Sequence, residues 1–156
     1  MSGLSHLDPT GAARMVDVGD KPETRRLAVA QGRIHMNATA RTAILDANLA
    51  KGDALAVARV AGIMAAKRTA ELVPLCHPLP LTRVGLHLEP DDQGICVRAE
   101  VETVGRTGVE MEALTAVTVA LLTLYDMAKA LDRAMRIDDV HLVEKRGGRS
   151  GDFVAG

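Results

Sequence analysis

Residues 81–129, LTRVGLHLEPDDQGICVRAEVETVGRTGVEMEALTAVTVALLTLYDMAK, decide how this chain folds. Leu81 to Leu88 and Ile95 to Val104 are strand-like runs separated by Glu-Pro-Asp-Asp-Gln-Gly, a composition that turns a chain back on itself. They predict an antiparallel hairpin. From Thr107 the pattern changes. Thr107 and Glu110 have the spacing of a capping box, with Thr at the N-cap and Glu at N3, and a capping role accounts for Glu110. The alternation in Thr115 to Val119 is strand-like, but the apolar pattern continues with Leu, Ala and Met well beyond the length of a strand, so a long helix is predicted. Inside it an uncharged run of thirteen residues is bracketed by Glu112 and Asp126. Burying an ionisable group costs free energy unless it is paired or neutralised, so acidic groups at both ends of an apolar helix are either matched to partners or kept for chemistry.

Before the hairpin, residues 1–22 carry Gly, Pro and Asp without a sustained period and predict an irregular arm. Arg25 to Met36 alternates imperfectly, as in a strand interrupted near Gly32. Asn37 or Thr39 caps a short helix running to about Leu49; Lys51-Gly52-Asp53 turns the chain, and Asp53 caps a second helix from Ala54 to about Leu72, with Lys67 and Glu71 at a pairing spacing. Pro74, Pro78 and Pro80 enforce an extended stretch. After the long helix, Arg136 to Val143 reads as a last strand, followed at about 144–156 by a basic, glycine-rich tail. The order β, αα, β, β, α, β predicts an α+β fold in one domain, with helices on one face of an antiparallel sheet.

A length of 156 residues suits one such domain, and its core must be aliphatic because Tyr125 and Phe153 are the only aromatics. The same scarcity leaves little to stack bases on. With 19 basic against 20 acidic residues there is no general attraction to nucleic acid either. The N-terminus lacks the basic start and apolar run of a secretion signal, and the longest apolar stretch falls short of the roughly 20 residues that cross a bilayer, so a soluble, cytoplasmic protein without membrane partners is expected. Cys76 and Cys96 lack CxxC spacing and are read as reduced thiols.

Several residues have a chemical reading beside a structural one. Glu112 lies one turn into the long helix, where it either favours the helix N-terminus or serves a site. Asp126 and Lys129, at i and i+3, form a surface pair or exchange protons, since each charge tunes the other. His77 stands in a rigid proline-bounded loop, the kind of place that holds functional groups, while Cys76 beside it reads as a small buried hydrophobe. Lys51 precedes a helix N-terminus that binds anions, although the Asp53 cap opposes phosphate there. Lys145, Arg146 and Arg149 among glycines wrap phosphates or form a solvated tail, and Lys67 with Arg68 makes a small basic patch.

The chain as a whole resembles the cyclic pyranopterin monophosphate synthase family, also called molybdenum cofactor biosynthesis protein C. The resemblance is carried by Met15-Val-Asp-Val18, Lys51-Gly-Asp53, Ala58-Arg-Val-Ala-Gly-Ile63, Ala65-Ala-Lys-Arg-Thr69 and Leu75-Cys-His-Pro-Leu79. It continues through Thr107 to Ala116, Leu124-Tyr-Asp-Met127 with Lys129, Gly147-Gly148 and Ser150-Gly151. It implies a ferredoxin-like fold, a hexamer built as a trimer of dimers, and the rearrangement of a cyclised dihydroguanosine triphosphate to cyclic pyranopterin monophosphate with release of pyrophosphate. By motif position, Asp126 is the implied acid or base, and Lys51 and Lys129 are further catalytic groups; Leu75, Cys76, His77, Met111 and Glu112 contact substrate. No cofactor or metal is implied. Arg14, Ala128, Arg106 and Arg149 depart from the usual family residues, and Arg106 and Arg149 bear on how phosphate is gripped.

A triphosphate needs concentrated positive charge, which Lys51, Lys67, Arg68, Lys129, Lys145 and Arg149 supply despite the net charge of -1. Asp126, Lys129 and His77 suit the proton movements of a rearrangement. Two other classes fit less of the sequence. A non-catalytic nucleotide-binding regulatory module needs the cations but not the Asp126 and Lys129 pair, and a metal hydrolase would draw on His6, His77 or His141, whose spacings are unrelated. Because Glu112 and Asp126 are fourteen residues apart, roughly 21 Å along one helix, joint service to one substrate requires a site shared between subunits.

Overall fold

A computed structural model describes residues 4–156. Its central strand, β1 (Thr24–His35), turns Ala28, Ala30 and Ile34 inward, each with no exposed surface. Next come α1 (Ala38–Leu45), α2 (Ala54–Lys67), the single turn α3 (Thr69–Leu72), β2 (Leu81–Pro90), β3 (Gly94–Gly105), α4 (Glu110–Ala128), β4 (Arg136–Arg146) and β5 (Phe153–Val154). The strands form one antiparallel sheet in the order β2-β3-β1-β4-β5. The first four follow the ferredoxin-like order expected from sequence, and α2 and α4 lie on the sheet as predicted.

The hairpin forms between Leu81 and Gly105, and its turn shrinks to Asp91, Asp92 and Gln93, where the Asp91 carboxylate accepts the Gln93 and Gly94 amides at 2.9 and 3.1 Å. The interruption in β1 is real. Its register against β4 shifts between Val29 and Ala30 and again between Gln31 and Arg33. Asn37 caps α1 by accepting the Ala40 amide at 2.8 Å, and Asp53 caps α2 by accepting that of Ala56 at 3.1 Å.

Five expectations need correction. The first helix ends at Leu45 rather than near Leu49, because the chain turns through Ala47 at a positive φ of 51°. The second stops at Lys67 and restarts at Thr69, whose hydroxyl donates to the Ala65 and Ala66 carbonyls and takes up the acceptors of the last turn. Lys67 and Glu71 therefore lie on separate helices and make no ion pair among the described residues. The long helix starts at Glu110 with Val109 at the N-cap and no side-chain cap, so Thr107 and Glu110 do not form a capping box. The basic tail is not a loose end, since β4 runs on to Arg146 and β5 pairs back against Glu144 and Lys145.

α4 places Ala113, Ala116, Val117, Ala120, Leu121 and Leu124 fully out of solvent against β1, β3 and α2. Truncating Leu121 or Leu124 to alanine would cost about 2–5 kcal/mol. By length and composition this helix could cross a membrane; in this fold that apolar face is the core. Gly62 sets how closely α2 approaches, because a Cβ there would stand 2.4 Å from Leu86 Cδ2 and 2.9 Å from the Ala116 carbonyl. The pair runs antiparallel: Lys51, just before α2, reaches Asp126 at the end of α4, while Lys67, at the end of α2, lies near Glu112 at the start of α4. That arrangement positions the site.

Candidate active site

The residues singled out in the sequence gather at the two ends of this helix pair. At the N-terminal end of α4, Leu75, Cys76 and His77 from the proline-bounded loop, with Met111, Glu112 and His6, line a cavity of about 200 Å³. Pro74, Pro78 and Pro80 keep this loop from coiling and hold it against the helix start. Glu112 is only 4% exposed, and burial, reinforced by the nearby Glu110 charge, pushes its pKa up to about 7. The same burial, with Glu112 beside it, raises the Cys76 thiol, which makes it a poor nucleophile.

His77 Nε2 lies 2.7 Å from the Val16 carbonyl, so this nitrogen carries the proton and donates, leaving Nδ1 free to accept in the neutral ring. The contact also ties the N-terminal arm to the site. Lys67 and Arg68 share an adjoining cavity of about 110 Å³ with His77 and Glu112. Lys145 reaches the same region from β4: its Nζ is 2.9 Å from Glu110 and 2.8 Å from Ser150 Oγ. Glu110 is thus the partner of a cation that sequence reasoning had assigned to phosphate.

At the other end of α4, Asp126 stands between two lysines. Lys129 Nζ donates to Oδ1 at 2.8 Å and Lys51 Nζ to Oδ2 at 2.9 Å. All three side chains are about half exposed at the mouth of a cavity of about 200 Å³ that Leu49, Met127 and Leu131 also line. Hydrogen bonds from Lys129 first, then from Lys51, pull the Asp126 pKa down to about 2, while Lys129 is raised in return. An anion held this firmly is a weak proton acceptor. Its two oxygens fix the direction of two ammonium groups.

No residue of the Glu112 cavity lines the Asp126 cavity, so the two lie apart in one chain, about 21 Å along α4. His6 and His77 share a cavity, whereas His141 lies on β4 bonded to the Asp139 carbonyl. Among the described residues no three His, Cys, Asp or Glu side chains converge as a metal site requires.

Comparison with known proteins bears directly on these two cavities. Residues 15–148 match the MoaC family, a span holding the residues named above as candidates except His6, before it, and Arg149, just beyond it. The chain belongs to the MoaC family. It is 62% identical over 155 residues to the cyclic pyranopterin monophosphate synthase of Thermomicrobium roseum, covering 98% of this chain and 93% of that protein. It is 58% identical over 156 residues to the proteins of the same name from Brucella ovis and Brucella melitensis biotype 2, covering 98% of this chain and 94% of each.

In this MoaC chain the sequence reading missed one cluster. Arg26, at the start of β1, is 7% exposed and donates from Nε to the Gly105 carbonyl at 3.2 Å. With Lys21, Thr24, Gly148 and Arg149 it lines a cavity of about 170 Å³. The signal available was weak: an Arg in the inward phase of a strand whose other inward residues are Ala28, Ala30, Gly32 and Ile34.

Proposed function

We propose that this chain is a cyclic pyranopterin monophosphate synthase, a pyrophosphate-releasing lyase of molybdenum cofactor biosynthesis. It takes a cyclised dihydroguanosine triphosphate to cyclic pyranopterin monophosphate. The observation that carries the reading is the pair of complementary half-sites. One has a buried carboxyl near neutrality, a histidine with a free ring nitrogen and nearby cations; the other has two ammonium groups aimed by one carboxylate. Neither half alone has both the room for a nucleotide and the groups for its chemistry.

In this reading Leu75, Cys76, His77, Met111, Glu112 and Lys67 hold the ring system, and Lys145 and Arg149 the phosphates. Lys51 and Lys129 move protons at the reacting atoms, with Asp126 fixing both. The halves come together across a two-fold axis, Glu112 of one subunit facing Asp126 of the next. Exposed apolar side chains support that pairing: Val57, Val60 and Met64 share one face of α2, and Met111 and Leu122 one face of α4, along the stretch between the half-sites. The dimer is proposed to assemble further into a hexamer as a trimer of dimers. Supplying the cyclised triphosphate to the pure protein and assaying pyrophosphate and a pterin tests the activity. Both products in equal amounts are expected, and substrate bound but returned unchanged would favour a regulatory binding module.

A further inference from the structure

We propose that His6 is a further proton-handling residue of the Glu112 cavity, passing protons between its buried interior and solvent. The role rests on the synthase reading, which otherwise leaves this histidine unused. A carboxyl that gives or takes a proton in each turnover has to be reset through a group that meets water, and Glu112 is only 4% exposed. The other titratable side chains of the cavity are committed elsewhere. His77 gives its Nε2 proton to the Val16 carbonyl at 2.7 Å, Glu110 is paired with Lys145 at 2.9 Å, and burial raises the Cys76 thiol. His6 lines the same cavity and is exposed, and neither of its ring nitrogens has a hydrogen-bond partner among the described residues.

The N-terminal arm is built to hold that ring in place. Residues 6–14 close on themselves as a small hairpin: the Arg14 amide donates to the His6 carbonyl at 2.8 Å and the Asp8 amide to the Ala12 carbonyl at 2.9 Å. At its tip Asp8 Oδ1 accepts from the Thr10 amide at 2.8 Å, the Thr10 hydroxyl at 2.6 Å and the Ala12 amide at 3.0 Å, while Gly11 takes the φ of +86° that the turn requires. A two-stranded hairpin standing alone is marginally stable in water, so its position depends on how the arm is anchored. Val16 bonds to His77, and the Gly19 carbonyl accepts from Arg106 Nη1 at 3.2 Å. The segment that fixes the His77 tautomer thus also brings His6 to the same cavity.

An imidazole placed between a cavity and water relays protons without a lasting change of charge. One ring nitrogen accepts a proton from the cavity, and the other releases its own proton to water. One N–H bond forms and one breaks, and the reverse transfer or a turn of the ring restores the first tautomer. No oxidant, reductant or second reactant is needed. Loss of a proton-transfer group commonly costs 100-fold or more, and water at an exposed site takes over part of the task, so the expected effect here is roughly 10-fold or more.

Steady-state assays of pterin formation by the full-length protein test the relay. His6→Ala should lower kcat by roughly 10-fold or more and leave KM for the triphosphate nearly unchanged, because a proton carrier acts after substrate has bound. Added imidazole should then restore kcat in proportion to its concentration, which the loss of a merely structural side chain would not allow. His6→Gln keeps much of the shape and hydrogen-bonding capacity but exchanges no proton; it should be as slow as His6→Ala, and it carries the test if the alanine variant fails to fold. A folded His6→Ala protein that keeps its kcat or stays slow in imidazole, or a His6→Gln protein with activity near wild type, would overturn the relay and leave the synthase reading standing. A wild type that makes no pterin would overturn both.

Discussion

At the N-terminal end of α4 the Glu112 carboxyl is 4% exposed and titrates near 7, whereas at the C-terminal end Asp126 stands half in solvent and is pulled down to about 2. The same functional group has been sent in opposite directions by two means. Burial without a partner makes Glu112 a group able to exchange a proton near neutrality; pairing without burial makes Asp126 a fixed charge. A buried-looking helix with an acid at each end therefore says little about what either acid does until its partners are known. Lys51 and Lys129 supply the partners at one end, and the proline-bounded loop removes water at the other.

The largest expected effect comes from dismantling the paired end. Asp126→Asn and Lys129→Ala should each lower turnover by at least roughly 100-fold, Lys129→Ala by removing a proton-transfer group and Asp126→Asn by releasing both lysines from their aim, while circular dichroism and melting temperature stay near wild type because both side chains are exposed. Near-normal turnover would reduce the cluster to a surface ion pair.

The buried end makes a prediction in pH. The folded-state pKa of Glu112 is raised from 4.5 to about 7, so the native chain binds the extra proton between those values and stability falls as pH rises through that window. The loss should reach about 3 kcal/mol by pH 8 in denaturant titrations, and Glu112→Gln should remove it. Parallel pH profiles for wild type and variant would mean that Glu112 finds a partner or solvent when it ionises.

Much of this organisation was legible beforehand, for a physical reason. The hairpin and the long helix follow from period and turn chemistry, which are local, the strand order was implied by the family resemblance, and the fourteen-residue separation of Glu112 and Asp126 called for a site shared between subunits only if both serve one substrate. What stayed hidden depends on contacts distant in sequence. Glu110 was read as a cap because Lys145 lies thirty-five residues away, and Arg26 drew no notice because its burial is completed by the β4–β5 turn. Local rules also misled where two competed: Thr69 sits inside a helical pattern, yet its hydroxyl bonds the carbonyls behind it. The smallest effect tests one of these corrections. Thr107→Ala should change stability by less than about 0.5 kcal/mol, whereas a working N-cap would cost about 1 kcal/mol.

The central claim is that each active site is completed by joining the buried end of one subunit to the paired end of another. Glu112→Gln and Asp126→Asn proteins, each inactive alone, are to be mixed, dissociated and reassembled, with subunit exchange verified by mass. Mixed dimers would hold one wholly wild-type site and one doubly substituted site, so with random pairing turnover should return to about a quarter of wild type. A mixture that exchanges subunits and stays as inactive as its parents would show instead that each site is built within a single chain.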